Sequence, residues 1–139
     1  MKTFLLTMLL SGIGLLVPNA RAQQSDALRK EFANSKALAE QGEARAQAFL
    51  GACYSMGRGV EKDDAEAVKW YRKAAEQGNA DGQSFLGTCY KDGKGVEKDY
   101  VEAVKWFRKA AEQNHISAQS ELGYCYTKGK AHRRIMRKP

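Results

Sequence analysis

The chain repeats itself at a fixed step of 36 residues. Laying Ala44–Asn79 (ARAQAFLGACYSMGRGVEKDDAEAVKWYRKAAEQGN) on Ala80–His115 (ADGQSFLGTCYKDGKGVEKDYVEAVKWFRKAAEQNH) leaves 24 of 36 positions identical with no gap. Ile116–Lys130, ISAQSELGYCYTKGK, opens the unit a third time and then departs from it. A period of this length belongs to chains whose units stack in a row, each touching only its neighbours. Such an array presents an extended surface, so a face that grips a partner comes before a catalytic pocket.

Within a unit the apolar residues follow helical spacing. Ala46, Leu50, Cys53 and Tyr54 recur at steps of three and four in Ala44–Met56, with Gly51 and its counterpart Gly87 as flat spots on the same side. Ala67, Val68, Tyr71, Ala74 and Ala75 do the same in Asp63–Gln77, with Trp70 beside them. Both stretches predict helices. Gly57-Arg58-Gly59 and Gly93-Lys94-Gly95 predict turns, because paired glycines tolerate positive φ. Asp63 with Glu66, and Asp99 with Glu102, read as N-cap pairs, and Gly78 and Asn114 as C-terminal stops. Each unit is then an antiparallel helix pair, with Trp70 and Trp106 as packing wedges between units. Shifting Val68–Gly78 back by one period lands on Phe32–Gly42, so Ala27–Gln41 is expected to be a lone second helix serving as an N-terminal cap. The expected organisation is a leader at 1–22, a cap at 23–43, repeats at 44–79 and 80–115, a first helix alone at 116–130, and a non-repeat tail at 131–139. The class is all-α, with about six helices and no sheet.

The N-terminus reads as an address. Lys2 precedes the apolar run Phe4–Val17, Pro18 follows, and Ala20-Arg21-Ala22 places small residues where a signal peptidase cuts. This is the secretory pattern, and the run is shorter than the roughly 20 residues of a membrane-spanning helix. Cleavage after Ala22 and a periplasmic or secreted destination are expected, with no membrane span in the mature chain. The formal net charge of +7 does not point to nucleic acid. Lys2 and Arg21 leave with the leader, and Lys128, Lys130, Arg133, Arg134, Arg137 and Lys138 fall in the last twelve residues. Gln23–Thr127 holds 15 basic and 16 acidic residues, the balance of an ordinary solvated helix surface.

The pattern Gln47–Leu50-Gly51–Tyr54–Gly57–Gly59-Val60–Asp63, then Ala67–Trp70–Lys73-Ala74-Ala75-Glu76-Gln77-Gly78, resembles the Sel-one-like repeat, a relative of the tetratricopeptide repeat. It is met again from Gln83 to Gln113. The resemblance implies a right-handed α-solenoid that acts as a scaffold for another protein or an extended peptide. It also implies which side lines the inner curve: Arg45, Phe49, Ala52, Asp81, Phe85, Thr88 and Tyr124, with Phe49 and Phe85 as aromatic anchors.

Catalytic chemistry finds little support. Cys53, Cys89 and Cys125 stand at one position per unit, too far apart on stacked helices for a disulfide, and read as buried small apolar residues. One branch of the resembled family, the cysteine-rich secreted proteins of Helicobacter, carries paired cysteines, and some of its members bind or cleave β-lactams. The single cysteine per unit here departs from that pairing, which leaves a β-lactam enzyme as the rival class. His115 falls in a turn and His132 in the tail, so neither completes a metal site or a base, and no cofactor is implied. The two glycine turns follow a helix rather than a strand, unlike a dinucleotide-binding loop.

The tail raises a third reading. After Lys130 the unit calls for Gly-Val-x-Lys-Asp, and the chain delivers Ala131–Pro139. Read one base earlier, the codons for Arg133–Pro139 can spell Lys-Asp-Tyr-Ala-Glu-Ala, close to Lys98–Ala103 and in register. A frameshifted front of a longer repeat protein, only partly functional, is the expectation that follows. Sequencing the gene beyond its stop codon tests it.

Overall fold

The computed structural model describes the backbone of residues 2–136 and the surroundings of the side chains of residues 21–129. Six helices follow one another: α1 (Lys2–Glu40), α2 (Ala44–Met56), α3 (Asp64–Glu76), α4 (Ala80–Asp92), α5 (Tyr100–Glu112) and α6 (Ile116–Met136). Consecutive helices pack against each other along the whole series, and every first helix also meets the next first helix, α2 with α4 and α4 with α6. The result is a stack of antiparallel pairs, all-α among the described residues.

The local chemistry of the helix ends repeats with the sequence. Asp63 accepts the backbone N–H of Glu66 at 3.0 Å, and Asp99 accepts those of Val101 and Glu102 at 2.9 and 3.1 Å. The return half of a capping box is not made. Glu66 pairs instead with Lys69 at 3.0 Å, and the N–H of Asp63 goes to the carbonyl of Tyr54. Second helices end in Schellman motifs: Gly78 N–H to Ala75 O and Asn79 N–H to Ala74 O, then Asn114 to Ala111 and His115 to Ala110 one period on. Asn114 sits at φ 63°, the positive-φ conformation that Gly78 adopts at 87°.

Three small cores lie along the stack. Ala39, Ala46, Leu50 and Trp70 join α1, α2 and α3, with Phe32 and Tyr54 at the edge. Ala67, Val68, Tyr71, Ala75, Leu86 and Cys89 join α3 and α4, and Trp106 and Val96 of the next unit pack on them. Ala103, Phe107, Ala110, Ala118 and Cys125 join α5 and α6. Each tryptophan thus wedges backward onto the preceding unit. A Cβ on Gly51 would fall 2.6 Å from the ring of Tyr71, and one on Gly87 would fall 2.8 Å from Phe107.

Glycine is required most sharply at Gly59 and Gly95. Each has positive φ, and a Cβ there would collide with a backbone carbonyl of the preceding unit's second helix, Leu28 for Gly59 and Asp64 for Gly95. The third unit has Ala131 at this place. There the backbone of α6 stays helical through Gly129 to Met136 instead of turning. The expectation of a first helix ending at Lys130 is corrected accordingly. Residues 137–139 of the basic tail lie outside the described residues. At the other end α1 is helical back to Lys2, through Pro18 and well before the Ala27 start expected for the cap. No breaker separates Ala22 from Ala27, so a helix once formed has no local cause to stop there. The side chains of the leader expected at 1–22 are, but for Arg21 and Ala22, outside the described residues.

Candidate binding surface

The residues assigned to the inner face all lie on first helices, and none is fully buried. On α2, Arg45 is exposed and Phe49 half-buried, its ring centroid 5.8 Å below the Arg58 guanidinium, which also pairs with Glu31 of α1 at 2.8 Å. Ala52 packs on the α3–α4 core, so it serves the stack and leaves the surface to its neighbours. On α4, Phe85 is 42% exposed while its other side lies on Tyr71, centroids 5.1 Å apart. Thr88 is half-buried and donates its hydroxyl to the carbonyl of Ser84 at 3.1 Å. Tyr124 on α6 is 46% exposed, with the ammonium groups of Lys91 and Lys128 5.4 and 5.8 Å from its ring centroid. Exposed aromatic rings on two successive first helices are therefore the apolar content of this face.

Polar links that sequence reasoning missed hold these helices in register. Asp81 meets Nε2 of His115 at 3.1 Å, while Nδ1 of the same ring accepts the N–H of Ala118 at 3.2 Å. An accepting Nδ1 leaves the proton on Nε2 for Asp81, so His115 caps α6 as Asn79 caps α4. Lys91 bridges α4 to Glu121 of α6 at 2.7 Å. Burial acts against its charge, but the hydrogen bond to Glu121 and the field of Asp92 outweigh it and hold the ammonium above its ordinary range.

A second set of links is glutamine-built. Gln47 and Gln83 are buried and donate to the carbonyls of Ala39 and Ala75 at 3.1 and 3.2 Å. Gln77 reaches back to Gly42 O and Gln47 Oε1 at 2.9 and 2.7 Å, and Gln113 to Gly78 O and Gln83 Oε1, both at 2.9 Å. Arg72 and Arg108 each donate to the hydroxyl of a tyrosine in the next unit, Tyr90 and Tyr126, at 2.6 Å. Their recurrence at the 36-residue step was the available signal.

The cysteines offer no ready nucleophile. All three are buried free thiols. Burial pushes Cys53 and Cys125 up, and lifts Cys89 to about 11 with help from Asp64. A thiol held protonated is a poor nucleophile. No group of His, Cys, Asp and Glu among the described residues could hold a metal ion.

Fold and surface together define an α-solenoid of helix-pair repeats. The family model described as the Sel1 repeat matches residues 44–79, 80–115 and 116–134, and the chain belongs to that family. Among solved structures, it is similar to a protective antigen present in uropathogenic Escherichia coli strains and displaying an SLR fold. The identity is 44% and the TM-score 0.71, over 73% of this chain and 22% of that one. A Sel1 repeat protein from Oxalobacter formigenes is 43% identical with TM-score 0.64, over 76% of this chain and 46% of that one. Helicobacter pylori cysteine rich protein B is 34% identical with TM-score 0.63, over 67% and 70%. The chain thus spans under half the length of the first two. No curated protein matches the sequence.

Proposed function

We propose that this chain is a non-catalytic scaffold that works in the bacterial periplasm or outside the cell, holding another protein or an extended peptide against its first helices. The observation that carries the reading is the pairing of Phe85 and Tyr124, exposed rings on successive first helices of a Sel1-repeat stack. Aromatic side chains of this kind bury large areas at little entropic cost, which suits them to anchor a partner. The leader-like start of the sequence supports export, as does similarity to an antigen of uropathogenic bacteria. Similarity to Helicobacter pylori cysteine rich protein B supports the rival β-lactam enzyme, and the single thiol per unit, buried and held protonated, weighs against it.

A photo-crosslinking side chain at position 85 or 124, expressed in the native host, tests the assignment. It should trap one partner that a probe at Lys69, on an exposed second-helix position, does not. Equal trapping from both positions would remove the first-helix face as the site. Mass spectrometry of the exported protein should find Gln23 at its N-terminus; an uncleaved cytoplasmic chain would sink the localisation.

A further inference from the structure

A second surface lies where α5 meets α6, away from the aromatic pair. A groove of about 990 Å³ opens there over Tyr100, Val101, Val104, Cys125 and Tyr126. Val101 is 68% exposed and Tyr126 37%. One period earlier the corresponding face is closed by the chain itself. The turn at Gly95 sits on the backbone of Asp64, and Val96 and Trp106 pack over Val68, Tyr71 and Cys89. At the α5–α6 face α6 runs on as helix, and among the described residues nothing takes the place of that turn.

The two faces differ in charge as well as in cover. At the closed face Lys62, Lys69 and Arg72 are matched by Asp63, Asp64 and Asp92. At the open face Lys98, Lys105, Arg108 and Lys128 line the groove with Asp99 as the one acid in its lining. Lys105 is engaged by Glu102 just as Lys69 is by Glu66, so the difference lies elsewhere. Tyr100 replaces Asp64 and Lys128 replaces Asp92, while Val101 enlarges the apolar floor where Ala65 stood. These exchanges turn a neutral packing face into an apolar groove with a basic rim.

We propose that this groove docks an acidic amphipathic helix of another protein, in the place a further second helix would take. The interior of the stack shows that a helix fits such a face, and the rim chooses its charge. A second copy of the chain supplies little of that charge: its segment 23–43 sets Asp26, Glu31, Glu40 and Glu43 against Arg29, Lys30 and Lys36, a net of only −1. The site does not depend on the first-helix surface.

The test uses the full chain and two labelled synthetic helices as long as α5. Both carry the apolar stripe of Ala103, Trp106, Phe107 and Ala110, with the tryptophan that covers the equivalent face one period earlier; one has Glu and the other Lys at the remaining positions. In fluorescence anisotropy the Glu helix should saturate and weaken about tenfold from low to physiological salt. Val101→Glu and Lys98→Glu, both at exposed positions, should each weaken it about fivefold or more with the helical spectrum unchanged. Phe85→Ala should leave it unaltered, which separates this site from the first-helix face. Failure of the Glu helix to bind, equal binding of the Lys helix, or indifference to Val101→Glu would overturn the proposal. So would a dimer in sedimentation that Val101→Glu dissolves, since the occupant would then be a second copy.

Discussion

The close approach at Gly95 can be separated from its backbone conformation by one pair of substitutions. Gly78 and Gly95 both have positive φ, 87° and 67°. A Cβ on Gly78 meets nothing within 4 Å, whereas one on Gly95 collides with the backbone of Asp64 and Ala65. Asparagine tolerates the left-handed conformation, and the native chain already uses Asn114 at the position equivalent to Gly78. Gly78→Asn should therefore cost about 0.5 kcal/mol or less. Gly95→Asn must lift its turn off α3. That forfeits the half-burial of Val96, about 1 kcal/mol, and adds overpacking of about 1 to 2 kcal/mol. The sum is about 2.5 kcal/mol, or roughly 12 °C in melting temperature for a domain of this size. Thermal and urea unfolding followed by circular dichroism would measure it. The urea transition of Gly95→Asn should also broaden, because the contact couples neighbouring units. If the two variants melt within about 2 °C of each other, crowding is not what selects glycine at position 95.

Trp70→Ala should cost about 3 to 5 kcal/mol, because it empties the wedge between α1, α2 and α3 that Ala39 and Leu50 surround; calorimetry would register partial or complete loss of the cooperative transition. Gln83→Leu removes two hydrogen bonds, to Ala75 O (which keeps the N–H of Gly78) and from Gln113, a loss of about 1 to 3 kcal/mol, whereas Gln119→Leu at an exposed position should cost less than about 1 kcal/mol in the same urea titration. Cys89 is raised from 9.0 to about 11, so the folded state holds this proton more tightly than the unfolded state. Its contribution is fully present below pH 9 and is lost as pH rises toward about 11, so urea midpoints should fall across that window and Cys89→Ala should flatten the fall. Alkylation of the native protein at pH 8 should be slow at all three thiols and fast once urea unfolds it.

The interior of the stack was legible because three independent signals agree there. Apolar spacing, N-cap residues and glycine stops all place α2 to α5, and the observed bounds fall within a residue of the predicted ones. The outer helices were not, because a repeat register says where a pattern stops but not where a helix stops. That depends on breakers, which are missing between Ala22 and Ala27 and after Gly129. Among the candidate surface residues, Ala52 was misjudged: subtracting one apolar stripe treats everything left as open, yet a small side chain between two helices still packs. Gln47 and Gln83 were passed over for the opposite reason. Polar residues at inward positions look like solvent contacts in a hydropathy pattern, and only the second hydrogen bond that each gives to a carbonyl at the preceding helix end explains them.

The two complete units differ unevenly along their length. Twelve positions differ, and six of them fall on the first helix: Arg45/Asp81, Ala46/Gly82, Ala48/Ser84, Ala52/Thr88, Ser55/Lys91 and Met56/Asp92. The second helix changes at three, Asp64/Tyr100, Ala65/Val101 and Tyr71/Phe107. Tyr71 and Phe107 keep one ring against one glycine, so that exchange preserves packing. The other two fall together at the start of α5, on the floor of the basic groove. Residues that make the stack are held nearly fixed from unit to unit, because each must fit an almost identical neighbour. Several of the differences are buried and keep small side chains small, Ala46/Gly82 and Ala48/Ser84, while Arg45/Asp81, Met56/Asp92 and Ala65/Val101 lie on exposed surface. The exposed differences thus fall on the first-helix face and at the start of α5, the two surfaces on which the proposed partner contacts would differ from unit to unit.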